Sequence, residues 1–176
     1  GKIPKMNVWL DGMIWEATAI HTAYPEYLNS QLRTQIFQQN NNPFLSPIFK
    51  RVEAAEMREE ICHSPEPCIV LATSGMMSGG PVMEYFREWA DDEKNWLLFV
   101  GYQSEGSIGR TIQRGRPEIT LNMRGKPINL KIKMQRETVD GFSGHSDRKQ
   151  LMRYIGSLDP KPDSIIIGHG DDRKCT

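Results

Sequence analysis

Two histidines set between glycines near the end of this 176-residue sequence are its foremost candidates for chemistry: His145 in Gly141-Phe142-Ser143-Gly144-His145-Ser146-Asp147, and His169 in Ile165-Ile166-Ile167-Gly168-His169-Gly170-Asp171. Imidazole titrates near neutral pH, so a loop-borne histidine can hand a proton to a leaving oxygen or ligate a divalent ion. His169 follows an apolar run, a setting in which a side chain leaves a sheet edge to meet a ligand. Taken singly, either histidine fits an ordinary structural role; taken as a pair in glycine-rich loops, they point to function. His21 and His63 lie in helical stretches and have no such setting. Two histidines and a few carboxylates are too few for the hydrolytic metal centre that such histidines usually serve. The chain therefore reads as part of an enzyme: a substrate-clamping domain with a strip of the catalytic one.

A second candidate is the run Thr73-Ser74-Gly75-Met76-Met77-Ser78-Gly79-Gly80 between the apolar stretch 68–72 and a helical stretch that opens on Pro81. Its glycines let backbone N–H groups turn toward an anion, its hydroxyls add donors, and the following helix adds the positive end of its dipole. This is the build of a phosphate cradle. It is not a Walker A loop, because no Gly-Lys-Ser/Thr follows, and its glycine spacing excludes the dinucleotide fingerprint and the nucleophile elbow. A plain strand-to-helix turn uses the same residues, so that reading stays open. Met76 and Met77 read as core filling.

Cys62-His63 followed by Cys68 could be taken for a metal knuckle, but no second ligand pair accompanies it, and Cys62 and Cys68 read as the end of a helix and the start of a strand. Three cysteines make no disulfide framework, and a reducing cytoplasm is expected. No apolar run reaches the ~20 residues of a membrane span. The opening Gly1-Lys2-Ile3-Pro4 is expected of an excised piece rather than a natural start. Net charge is zero, yet Arg110 to Arg136 holds eight basic residues and one acid, Glu118. Such a stripe could track a phosphate backbone or could be a solvated strand face.

These residues need elements to position them. Strands are expected at 7–10, 47–52, 68–72, 96–101, 117–122, 128–139 and 164–167, and helices at 13–24, 26–38, 53–61, 81–90, 108–114 and 147–158. The alternation of apolar strands with helices predicts an α/β fold, a three-layer α/β/α arrangement around a mainly parallel sheet. In such sheets ligands meet the carboxyl ends of the strands, which is where the 73–80 loop, the 102–107 loop, His145 and His169 are expected.

The stretches Ile69-Val70-Leu71-Ala72-Thr73-Ser74-Gly75-Met76-Met77, Val100-Gly101-Tyr102-Gln103-Ser104-Glu105-Gly106, Phe142-Ser143-Gly144-His145-Ser146-Asp147 and Ile167-Gly168-His169-Gly170-Asp171 together resemble the β-CASP branch of the metallo-β-lactamase superfamily. The likeness is greatest to archaeal relatives of the endonuclease subunit of cleavage and polyadenylation specificity factor. Four linked motifs in order span nearly the whole chain. The resemblance implies an RNA nuclease acting in RNA 3′-end processing, with two zinc ions in a metallo-β-lactamase domain and a β-CASP domain inserted as a cap over the cleft. It implies residues 1–139 as the β-CASP domain and 140–176 as a returning segment of the metallo-β-lactamase domain. By the same resemblance, His145 stands near the scissile phosphate and His169 is a late zinc ligand. Thr73, Ser74, Gly75, Ser78, Gly79, Gln103, Arg110, Ser143 and Ser146 are the expected RNA or phosphate contacts. Expected partners are RNA and the remainder of the same metallo-β-lactamase domain, with a homodimer left open, and no membrane.

The sequence departs from that pattern. Asp171 stands where the family often has glutamate, the His-x-His-x-Asp-His cluster is absent, and so is the earlier acidic motif that partners the late histidine. A binuclear zinc site cannot close on His169 alone. This chain is therefore expected to hold no catalytic zinc pair and to cleave no RNA in a metal-supplemented nuclease assay; robust cleavage there would refute the expectation. The competing readings are a standalone RNA-binding module that uses the basic stripe, and a domain that binds a phosphorylated metabolite at the 73–80 loop.

Overall fold

The computed structural model describes residues 6–123, 125–142 and 144–168. The chain divides into two compact units, Gly1–Phe142 and Ser143–Thr176.

The first unit is mixed α/β with parallel sheet. Three short strands, β1 (Asn7–Asp11), β2 (Phe49–Arg51) and β3 (Cys68–Ala72), form one sheet in the order β2-β1-β3 with every pair parallel. The helices α1 (Met13–Ala23), α2 (Ser30–Phe37) and α3 (Ala55–His63) fill the connections. The single helix expected over 26–38 is instead a 3-10 turn, Pro25–Tyr27, followed by α2. The cause is Asn29, whose side-chain oxygen accepts from the Leu32 N–H at 2.9 Å and restarts the helix as an N-cap.

After β3 come α4 (Pro81–Trp89), β4 (Trp96–Phe99), α5 (Ile108–Gln113), the antiparallel hairpin β5 (Glu118–Met123) with β6 (Lys126–Lys131), and β7 (Gln135–Thr138), which pairs parallel with β4. The one strand expected over 128–139 is thus two. Between them Ile132 and Met134 sink into the core, and the N–H groups of Ile132, Lys133 and Met134 donate to the carbonyls of Pro117 and Ala90. Those bonds turn the chain off the hairpin and send β7 to a different sheet.

Helix α4 divides the core. It starts on Pro81, whose missing N–H costs nothing at a first turn. Phe86 packs with Met77, Ala90, Phe99 and Ile112 in one cluster, while Tyr85 packs with Val52 and Ile61 in another. Trp89 reaches both. Met77 is accordingly a core residue, whereas Met76 is exposed.

The second unit contains α6 (Arg148–Ser157), opened by a capping box in which Asp147 accepts from the Gln150 N–H and the Gln150 side chain accepts from the Asp147 N–H. Residues 164–167, expected as a strand, make no strand pairing, and Ile166 is 96% exposed. An apolar run becomes a strand only against a neighbour that takes its backbone hydrogen bonds, and the described residues offer it none.

Candidate nucleic-acid interface

Parallel strands deliver their carboxyl ends to one edge, so Asp11 of β1 and Ala72 of β3 end side by side as a register pair. The 73–80 loop leaves from that edge. Its exit is fixed by the Val82 N–H, which donates to the Thr73 carbonyl at 2.9 Å, and by the Met83 N–H, which donates to the Gly80 carbonyl at 3.1 Å. These two bonds occupy the first-turn donors of α4. The loop itself keeps its own: among the described residues, the N–H groups of Gly75, Ser78, Gly79 and Gly80 have no acceptor. Ser74 and Ser78 face each other with hydroxyl oxygens 3.2 Å apart at the surface. An anion lying over the loop would meet those two hydroxyls and adjoining amides, the donor set of a backbone nest.

The loop that follows β4 is bound to this one. The Gln103 side-chain amide donates to the Gly75 carbonyl at 2.7 Å and to the Gly101 carbonyl at 3.2 Å. The Gly109 N–H donates to the Met76 carbonyl at 3.2 Å. Gln103 is 3% exposed, so the structure puts this expected phosphate contact behind the loop, as the brace that joins the two. Its Oε1 has no hydrogen-bond partner and lies against Gly109, where an added Cβ would come within 1.8 Å of it. Only glycine allows that approach.

Arg110 is at the loop but occupied: it pairs with Glu105 at 3.4 Å and donates to Gln113 Oε1 at 2.8 Å. Arg114 shares Glu105, and Lys133 pairs with Asp91. The basic stripe of the sequence is thus partly matched by local acids in exposed pairs of small energetic weight. Lys126 and Lys131, on the hairpin, make no ion pair with any of the described residues.

The same edge holds a buried ionic group that sequence reasoning missed. Asp11 is 1% exposed and accepts from Arg58 Nε at 2.8 Å, Arg58 Nη2 at 3.1 Å and the Tyr85 hydroxyl at 2.8 Å. Arg58 also reaches the half-exposed Glu84 at 3.3 Å. The bond to Asp11 raises the pKa of Arg58 above its already high ordinary value. Burial, then the bond to Asp11, holds the Tyr85 phenol far above its usual range, so it stays a donor throughout the neutral and alkaline range. The one signal in the sequence was an aspartate ending an apolar strand directly before glycine.

In the second unit, His145 and Ser146 are exposed just ahead of α6. Ser143 and His169 lie outside the described residues. His21 and His63 each turn Nδ1 toward a carbonyl one helical turn back, of Ala17 and of Glu59. Burial pushes the Cys62 thiol up to about 11, helped by Glu88, which disfavours the thiolate a metal would need. No group of three His, Cys, Asp or Glu side chains able to hold a metal occurs among the described residues. The described donors alone do not make up the ligands of a zinc pair, and no step through a metal is assigned to them.

Comparison with known proteins gives two family matches. Residues 1–112 match the Beta-Casp domain, and residues 129–176 match the Zn-dependent metallo-hydrolase RNA specificity domain. Among curated proteins, transcription termination factor FttA of Methanosarcina mazei is 55% identical over 176 residues, which is 99% of this chain and 28% of that protein. The factor of the same name from Thermococcus kodakarensis is 52% identical, over 97% of this chain and 26% of its own length. That of Lokiarchaeum sp. is 44% identical, over 99% and 28%. The chain therefore spans about a quarter of the length of these relatives.

Proposed function

From the premise that this chain belongs to the Beta-Casp family, with a segment of the metallo-hydrolase RNA specificity domain behind it, we propose that it is the RNA-holding part of a zinc-dependent ribonuclease. In this reading residues 1–139 cap the RNA cleft and residues 140–176 rejoin the hydrolase domain. The observation that carries it is the 73–80 loop, whose unspent amides and paired Ser74 and Ser78 hydroxyls stand at the carboxyl edge of the sheet, braced by a second loop. RNA supplies the matching acceptors, a phosphate at every nucleotide. Thr73, Gly75 and Gly79 shape the cradle, and Gln103 holds it in place.

His145 is assigned to the departing oxygen of the scissile phosphate, where an imidazolium can donate a proton. Ser143, Ser146 and Arg110 complete the phosphate contacts in this reading. His169 is the late zinc ligand of the family pattern, and the other ligands of both zinc ions come from a longer polypeptide. Cytoplasmic action, alongside transcription, follows from the names of the relatives and the sparse cysteines. No helix among the described residues is long and apolar enough to cross a membrane.

The test is equilibrium binding of a fluorescent single-stranded oligoribonucleotide. Replacing Ser74 and Ser78 together by alanine should weaken binding about tenfold, as two hydrogen bonds to a charged group are lost. The logarithm of affinity should fall linearly with the logarithm of salt concentration in the parent chain. Tight binding of a mononucleotide, with no gain from RNA length, would favour a phosphometabolite site instead.

A further inference from the structure

The buried group at Asp11 does more than join three elements. We propose that Asp11, Arg58 and Tyr85 form a clamp that sets the position of the 73–80 loop, which makes them positioning residues for phosphate contact; this rests on the reading of that loop given above.

The geometry ties both ends of the loop to one residue, Asp11. At the entry, Asp11 is paired in register with Ala72, and Gly12 and Thr73 follow them. Gly12, at φ 69°, lies so near Thr73 that a Cβ on it would sit 2.4 Å from the Thr73 hydroxyl oxygen and 3.6 Å from the ring of Pro81. Wherever the end of β1 stands, Thr73 and Pro81 must stand with it. At the exit, Tyr85 lies one turn into α4, and its hydroxyl reaches Asp11 Oδ2 at 2.8 Å. The Val82 N–H closes the loop back onto Thr73. Arg58 of α3 then fixes the carboxylate itself by a two-pronged contact at 2.8 and 3.1 Å, which sets its plane as well as its place.

A buried ion pair is a poor device for stability alone, because apolar side chains of the same volume often serve as well. What the polar group supplies is direction. Hydrogen bonds to both carboxylate oxygens allow one orientation of β1 against α4, and the loop spans the gap between β3 and α4. A cradle of amides is useful only if its donors hold a fixed spacing, since a displacement of about an ångström is enough to spoil alignment.

The test compares Tyr85→Phe, which removes one hydroxyl and leaves the Asp11–Arg58 pair, with Arg58→Lys, which keeps the charge and loses the fork. Leu121→Ala, at a buried strand position in neither of the clusters that α4 divides, serves as a core truncation away from the clamp. Amide hydrogen exchange at Met77 and Val82, whose N–H groups donate to Ser74 and Thr73 within and across the loop, should rise about tenfold in both clamp variants relative to the β4 and β7 amides, with oligoribonucleotide affinity about fivefold weaker. Leu121→Ala should lower the unfolding midpoint while leaving loop exchange and RNA affinity at parent levels. Unchanged loop exchange in Tyr85→Phe and Arg58→Lys overturns the clamp, whatever happens to RNA. Faster exchange with undiminished RNA affinity, in a chain whose Ser74 and Ser78 do matter, overturns its positioning role. If exchange rises but the Ser74 and Ser78 replacements leave RNA binding intact, the phosphate reading fails and the clamp stands.

Discussion

Arg58→Leu should destabilise the first unit by about 3–5 kcal/mol, the cost of leaving a buried carboxylate without its partner. Asp11 is 1% exposed and takes two of its three hydrogen bonds from this one guanidinium. Leucine fills part of the volume but returns neither bond, and Tyr85 alone cannot offset the charge. The half-exposed Glu84 loses a contact of little weight. Urea unfolding followed by tryptophan fluorescence measures the effect, with Trp89 beside Tyr85 as the local reporter. The companion variant Asp11→Asn with Arg58→Leu should recover much of the loss, because the charge that needed compensation is gone. Additive losses in the double variant would show that Arg58 acts through packing rather than through its bond to Asp11.

Gly109→Ala should cost about 3 kcal/mol by overpacking. An added Cβ would lie 1.8 Å from Gln103 Oε1 and 3.0 Å from the Met76 carbonyl oxygen. The Gln103 side chain is buried at 3% exposure. Moving it would break its bond to Gly75, and moving the helix would break the bond from the Gly109 N–H to Met76. Either way the two loops part, so Gly109→Ala should also weaken RNA binding in the fraction that stays folded. The urea midpoint and the anisotropy titration check the two halves separately. Gly156→Ala, with nothing within 4 Å of the added atom, is the control that should leave both unchanged.

The strand, loop and helix around 73–80 were legible in the sequence because their signals are local. An apolar strand, a run of serine and glycine, and proline at the next helix start need no tertiary knowledge, and β3, the loop and α4 form as expected. The split of 128–139 was not legible, since the apolar alternation runs on through Ile132 and Met134; only the carbonyls of Pro117 and Ala90, far off in sequence, turn the chain there. Asn29 was a readable cap within an otherwise helical period. Gln103 was expected as a phosphate contact through the resemblance of its motif, which says nothing of how deeply the side chain is set. Its burial depends on Gly109, whose bare Cα admits it. The Asp11 group escaped for a related reason: its members are separated by 47 and 74 residues, and each alone reads as something ordinary. A lone arginine in the charged helix α3 is by default solvated.

The central claim is that RNA phosphates bind at the 73–80 loop, and the most direct measurement is titration of the isotope-labelled chain with a single-stranded oligoribonucleotide, followed through its backbone amide resonances. The amides of Gly75, Ser78, Gly79 and Gly80 should shift first and furthest, and the shifts should shrink with added salt. Shifts confined to the hairpin around Lys126 and Lys131, with the loop amides unmoved at saturation, would contradict it.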